Sequence, residues 1–394
     1  MPYSPIMPLL SISLLLSWGS LYYAFPVLAP AMQSDFQGDS DVLTGAFSVA
    51  LLIWGLATYP VGLALDRFGA RAVMTSGALL AAVGFIGLYI VESVSMFYLL
   101  WSALGLAMAM TLYEPAFALI VQNYPEGQKR RIGWLTIAGG LASTVFWPLS
   151  YYLGEHAGWR HAMLLFAALH LLACLALMAV HLPRERIVAA TRRQPSPPAC
   201  PGPARVPQRA AMVHLSLCFA VYGFITAALA VQAIPLLAAR GFDTATALLL
   251  ASCIGPMQVA GRALDMVLGS RFDARRAGLG TLTLLSLSIA ALWLAQWWPA
   301  LAVVFVIAYG LAVGLLTVVR AMAPLELAAA AKYASSSGLL GAPSLVARAA
   351  GPVGAASLAK ACGSQSGVLL VLLAGSLIGL WLFARAWSFT PVPA

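Results

Sequence analysis

For almost its whole length the chain alternates long apolar runs with short polar clusters. Runs of about 20 residues match the ~30 Å hydrocarbon core of a bilayer at ~1.5 Å rise per helical residue. They predict helices over 9–30, 43–65, 72–91, 95–121, 132–153 and 160–181. A second set follows over 212–238, 244–268, 278–297, 299–322, 335–358 and 365–387. Between the sets, 183–211 is rich in Pro and Arg and nearly devoid of large apolar residues. Pro195, Pro197, Pro198, Pro201, Pro203 and Pro207 deny it a helix, which predicts a solvent-exposed linker. The expected organisation is an N-terminal six-helix bundle over 1–182, a linker over 183–211 and a C-terminal six-helix bundle over 212–394. The fold class is thus an all-α membrane protein of twelve transmembrane helices.

Composition agrees. Of the 394 residues 61% are hydrophobic and 9% charged, against about 25% charged in soluble domains. The net charge of +9 does not point to nucleic acid, because the basic residues sit in short loops rather than on a stripe with interleaved aromatics. With both termini in the cytoplasm, 16 Lys and Arg fall on the cytoplasmic side, including Arg271 and Lys332, and three on the other: Arg160, Arg240 and Lys360. The positive-inside rule sets that orientation. Cys174, Cys200, Cys218, Cys253 and Cys362 are scattered, so neither a disulfide framework nor a metal site is expected. The first apolar run has no Lys or Arg before it, so it reads as the first helix rather than a cleaved signal peptide. No phosphate-binding Gly-rich loop with Lys and no catalytic triad spacing appears, so neither ATP nor another cofactor is expected, nor an enzyme activity.

After the second helix the chain reads Gly62-Leu-Ala-Leu-Asp66-Arg67-Phe-Gly69-Ala-Arg71. This resembles the cytoplasmic signature of the major facilitator superfamily, Gly-x-x-x-Asp-Arg-x-Gly-x-Arg. The resemblance covers the whole chain and implies two pseudo-symmetric six-helix bundles acting as a secondary transporter. Small residues let helix ends approach, and the Asp can face the positive N-terminal end of a neighbouring helix. A degraded copy stands in the second half, Gly261-Arg-Ala-Leu-Asp265. Trp147-Pro148 and Gly351-Pro352 echo one another at an offset that sets Arg348 against Thr144. Two features depart from the family: Trp101 stands where many members carry an Arg before Gly105, and the helix-five Gly-Pro run of drug/proton antiporters is missing.

A charge at mid-bilayer is costly, so each one is a functional candidate. Arg348 lies roughly 20 Å into helix eleven on a stripe with Ser337, Gly341, Ser344 and Gly351. Its guanidinium suits a carboxylate by bidentate bonding; the bland alternative is a partner for backbone carbonyls near Pro352. Glu114, followed by Pro115, is the candidate for proton exchange, or else an interhelical lock. Gln258, Arg262 and Asp265 share a face of helix eight, where Arg262 either pairs with Asp265 or reaches a cavity. Arg320 sits towards the cytoplasmic end of helix ten, with Thr317 and Tyr309 on its face. The resemblance implies that helices one, four, seven and ten line the cavity, which adds Trp18, Tyr22 and Tyr23, and Tyr222, Thr226 and Gln232. His161, His170 and His214 read as structural. Asp35, Asp39 and Asp41 read as a solvated turn, with a cation site the less favoured alternative.

The sequence therefore predicts a monomeric transporter of a small organic solute, preferably an anionic carboxylate, by alternating access with proton symport, in a bacterial inner membrane. Substrate-binding candidates are Arg348, Arg262, Arg320, Tyr22, Tyr222, Gln232, Gln258 and Ser344, with Glu114 for the proton and Gly62, Asp66, Arg67, Gly69, Arg71, Gly261 and Asp265 for the gate. Proton-driven efflux of a drug-like or anionic metabolite stays open as an alternative. So does a non-transporting sensor or scaffold.

Overall fold

The computed structural model describes residues 6–36, 40–124, 127–179, 205–268, 273–327 and 333–388. Among these residues there are no strands, and twelve helices follow one another. They are α1 (Ile6–Phe36), α2 (Ser40–Phe68), α3 (Ala70–Ile90), α4 (Val94–Asn123), α5 (Gln128–His156) and α6 (Trp159–Ala179). The second set is α7 (Arg205–Ala238), α8 (Thr244–Leu268), α9 (Ala274–Leu294), α10 (Leu301–Leu327), α11 (Tyr333–Cys362) and α12 (Gln365–Trp387). Among the described residues ten candidate spans are long and apolar enough to cross a membrane. α11 falls short because serines, alanines, glycines and Arg348 replace large apolar side chains.

Residues 183–204 of the expected linker, Cys200, Asp39, Arg271 and Lys332 lie outside the described residues. The linker's far end is corrected. α7 begins at Arg205 and takes in Pro207, because an amide in the first turn of a helix has no intrahelical acceptor and proline there loses nothing.

Short polar side chains start several helices. Ser93 accepts from the Met96 amide at 3.3 Å for α4, Asp273 from Arg276 at 2.8 Å for α9, and Ser364 from Gly367 at 3.1 Å for α12. Three helices of the first half are interrupted, which the apolar runs do not announce. In α1 the turn Trp18–Tyr23 is wound as a π-helix, with the Ala24 amide donating to Gly19, five residues back. Pro26 follows, and its ring crowds the carbonyl four residues earlier, at Tyr22. α4 breaks at Leu112, where Pro115 removes the bond to Thr111. α5 breaks at Leu141 after the Gly139-Gly140 pair.

The chain forms two compact units, one of residues 1–195 with 330–342 and one of 196–329 with 343–394. Within the first unit α2 packs on α4, α3 on α6 and α3 on α4. Within the second the same pairs recur six helices later: α8 on α10, α9 on α12, α9 on α10. Small residues make the α8–α10 approach. A Cβ on Gly314 collides with the Gln258 carbonyl, and one on Gly261 with that of Leu311. Such contact stands in for the hydrophobic drive that lipid cannot supply.

Candidate functional site

The signature loop builds a helix-end contact. The last turns of α2 place Asp66 so that its Oδ2 accepts from the Ser335 amide at 2.9 Å, at the N-terminal end of α11. A carboxylate there meets unsatisfied N–H groups and the positive end of the helix dipole. Gly62, one turn earlier, admits that end: a Cβ at this position would sit 2.6 Å from the Ala334 carbonyl oxygen. Gly69 turns the chain into α3 at φ 83°, a left-handed conformation that side chains resist. Arg67 is exposed over the Phe68 ring, 5.2 Å from its centroid, and Arg71 is exposed.

In the degraded copy, Gly261 is the small residue of the α8–α10 crossing. Arg262 and Asp265 are both buried, at 7% exposure each, and the Arg262 Nε has no hydrogen-bond partner among the described residues. Gln258 is half-buried above them.

The first unit carries an aromatic face. Trp18 lies with its ring 5.5 Å from Tyr22, 6.1 Å from Tyr23, 5.7 Å from Trp54 on α2 and 5.0 Å from Tyr113 on α4. Tyr23 extends it to Trp147 on α5 at 6.1 Å, and Tyr22 to Phe47 at 5.8 Å. The indole N–H groups of Trp18 and Trp54 are buried without an acceptor among the described residues. Glu114, adjacent to Tyr113, lies in the first turn of the second segment of α4 and is buried, 6% exposed. Its Oε1 would be 3.7 Å from a Cβ on Gly341, within the same unit.

The second unit holds Arg348, half-buried about 22 Å along α11. Its Nε is buried with no hydrogen-bond partner among the described residues. On the neighbouring α10 the Tyr309 hydroxyl donates to the Thr226 carbonyl of α7 at 3.1 Å. Arg320 and Gln232 are half-buried on α10 and α7.

Two candidates have packing duties. Tyr222 is fully buried, and its hydroxyl donates to the Ser376 carbonyl of α12 at 2.7 Å, so it joins helices. Ser344 is buried where α11 crosses α7, with its Oγ 2.8 Å from a Cβ placed on Gly223. Gly351 makes a similar seam with Ala227. The polar stripe of α11 is therefore partly a helix seam in which serine and glycine serve for smallness.

Other groups are placed as follows. Trp101 is buried among Phe25 (4.8 Å), Phe47 (5.5 Å) and Phe97 (6.2 Å), so an aromatic plug stands at the position of the familiar Arg. Asp35 accepts from Trp159 Nε1 at 2.9 Å and pairs with Arg160, which ties α1 to α6. His170 is buried against Ser20, at 2.9 Å. The sequence does not single out Trp54, Phe47, Tyr113 and Trp147 for this face, although the first two lie seven residues apart on α2, a helical same-face spacing. No group of three or more His, Cys, Asp or Glu side chains arranged to hold a metal occurs among the described residues.

Comparison with known proteins gives the family. The model of the Major Facilitator Superfamily matches residues 10–267, well over half of the chain. Monocarboxylate transporter 13 of Bos taurus is 35% identical over 125 residues, which cover 30% of this chain and 29% of that protein. Monocarboxylate transporter 4 of Mus musculus is 32% identical over 222 residues, 53% of this chain and 43% of that protein. The chain thus spans less than half the length of these relatives. The E. coli fucose:proton symporter superposes with a TM-score of 0.71 at 14% identity, over 98% of this chain and 99% of that one. Signature loop, repeated helix pairing and family match agree, and the chain belongs to the Major Facilitator Superfamily of membrane transporters.

Proposed function

We propose that this protein carries a small organic anion, a monocarboxylate, together with a proton by secondary symport. The observation that carries this reading is Arg348, whose guanidinium is deep in α11 with its Nε lacking a hydrogen-bond partner among the described residues. Such a group favours a planar anion that accepts two parallel hydrogen bonds. Support also comes from the named substrates of the monocarboxylate relatives and from the proton coupling named for the fucose neighbour.

Glu114 serves as the proton-exchanging group, being the carboxylate that a helix break delivers into the interior of the first unit. Arg262, Arg320, Gln232 and Gln258 are secondary polar contacts of the substrate path, and Tyr22 presents the aromatic face to its apolar body. The signature residues Gly62 to Arg71, with Gly261 and Asp265, act as hinges and latches of the transport cycle. The protein works as a non-enzymatic monomer in a bacterial inner membrane, with both termini and the Pro/Arg-rich linker in the cytoplasm.

The test is proteoliposome uptake of pyruvate, lactate and benzoate, with internal pH recorded. Substrate-dependent acidification is expected, and loss of carboxylate binding in Arg348→Gln with thermal unfolding unchanged. Normal uptake by that variant would falsify the charge assignment. The breadth of the aromatic face favours a second reading, proton-driven export of a larger amphipathic anion. It predicts that an outside-acid gradient expels such compounds instead of accumulating carboxylates.

A further inference from the structure

We infer that His170 is a positioning residue of the transport site, because it clasps the π-turn that assembles the aromatic face of α1. The inference rests on the transport reading above only for its kinetic consequence. The clasp itself is independent of it.

The proton count is decisive. The Ser20 hydroxyl sits 2.7 Å from the Leu16 carbonyl oxygen and 2.9 Å from His170 Nε2. It has a single proton. If that proton went to the imidazole, two oxygens 2.7 Å apart would face each other with lone pairs only. The hydroxyl therefore donates to Leu16, and His170 must supply the Nε2–H that Ser20 accepts. This sets the tautomer and leaves Nδ1 with a bare lone pair, buried and without a donor among the described residues. The ring is 1% exposed and lies 5.6 Å from Phe85. A leucine of similar size would fill the space without that lone pair. The histidine has a reason beyond filling it.

Ser20 lies within the π-turn Trp18–Tyr23. The winding has a consequence for the site. An α-helix advances 100° per residue, so it points Trp18 and Tyr22 the same way but turns Tyr23 about 140° from Trp18. A π-turn advances only roughly 80° per residue, since its bonds close five residues back. Positions four and five along then flank the first within about 50° on either side. That is the observed arrangement: Tyr22 and Tyr23 both touch Trp18, and their rings are 5.2 Å apart. The wide turn is intrinsically the poorer helix, and α6 holds it through one hydrogen bond.

Leucine, asparagine and glutamine at position 170 separate this role from mere filling. Glutamine extends an N–H to about the reach of Nε2; asparagine stops near Nδ1. Hydrogen–deuterium exchange of the peptide around 17–25 is expected to quicken at least tenfold in His170→Leu and His170→Asn and to stay within threefold of wild type in His170→Gln. Ser20→Ala should match His170→Leu, and the double variant should add nothing further. With pyruvate as transport probe, KM should rise about tenfold in the leucine variant with kcat within twofold, and glutamine should restore it. Glutamine behaving like leucine, or Ser20→Ala exchanging as wild type, overturns the clasp. Should wild type carry no pyruvate, the carboxylate reading fails, while the exchange comparison still decides the clasp.

Discussion

A guanidinium at mid-membrane costs about 2.5–3.5 kcal/mol on insertion scales, and on the proposed reading the bound anion offsets that cost at Arg348. Lysine in its place keeps the charge but loses the planar fork. Arg348→Lys is therefore expected to weaken pyruvate binding about tenfold, and Arg348→Gln more than 30-fold, both read by thermal shift with ligand. Equal affinities for the two variants would mean that fork geometry is irrelevant. Glu114 makes a different prediction. Glu114→Gln should still exchange labelled pyruvate across the membrane at equal concentrations, yet no longer acidify the lumen on net uptake. Retained acidification would move the coupling group elsewhere. Both residues were legible in the sequence, because a charge inside an apolar run is conspicuous. Tyr222 and Ser344 are harder to read: a hydroxyl looks the same in sequence whether it meets substrate or a carbonyl of the next helix.

At the scale of the element, helix ends and crossings carry the argument. Asp66 on the N-terminus of α11 is a charge–dipole contact of the kind that contributes about 0.3–1 kcal/mol. Asp66→Asn should lower the thermal midpoint by a few degrees at most while slowing the transport cycle more than that loss implies; unchanged turnover would remove the latch role. Asp243 caps α8, accepting from Ala245 at 3.1 Å and Thr246 at 3.2 Å. Its bond with Thr246 holds the carboxyl below the ordinary carboxylate range. A depressed carboxylate stabilises fully above the unfolded pKa of about 3.9, and the contribution disappears as pH falls through the lower folded value. Amide exchange at 244–250 should thus be flat from pH 7 to 5, once corrected for intrinsic rates, and quicken below about 4. Asp243→Asn should abolish that acid-dependent step. Gly314 has no tolerance for a side chain, and Gly314→Leu should cost at least 1–3 kcal/mol, seen as a lowered unfolding midpoint in detergent.

At the scale of the whole molecule, the recurrence of helix pairs in the two units is the physical trace of an internal repeat. Asymmetry between the units is what makes a transporter specific. Arg348 and Tyr309 belong to one unit, and Glu114 with the aromatic face belongs to the other. The signature loop likewise survives whole only in the first half. The proposed topology predicts that a cysteine introduced in 183–204 reacts with a maleimide only after the inner membrane is permeabilised. Labelling from the outside would reverse the orientation and with it the 16-to-3 reading of basic residues.

The number of helices, their approximate ends and the family follow from the sequence by itself, because bilayer thickness sets the length of an apolar run and the signature loop is local. Asp66 as a helix-end ligand was also within reach, since its motif carries the chemistry. Tertiary structure alone decided which polar groups face which neighbours. It placed Ser344 in a seam, bonded Tyr309 to the Thr226 carbonyl, and showed that α1 is rewound at Trp18–Tyr23 with His170 against Ser20. A π-turn leaves no periodic mark in a largely apolar run, and a hydrogen bond across 150 residues has no local signature. Those contacts depend on which helices pack, and packing is a property of the folded bundle rather than of any one span.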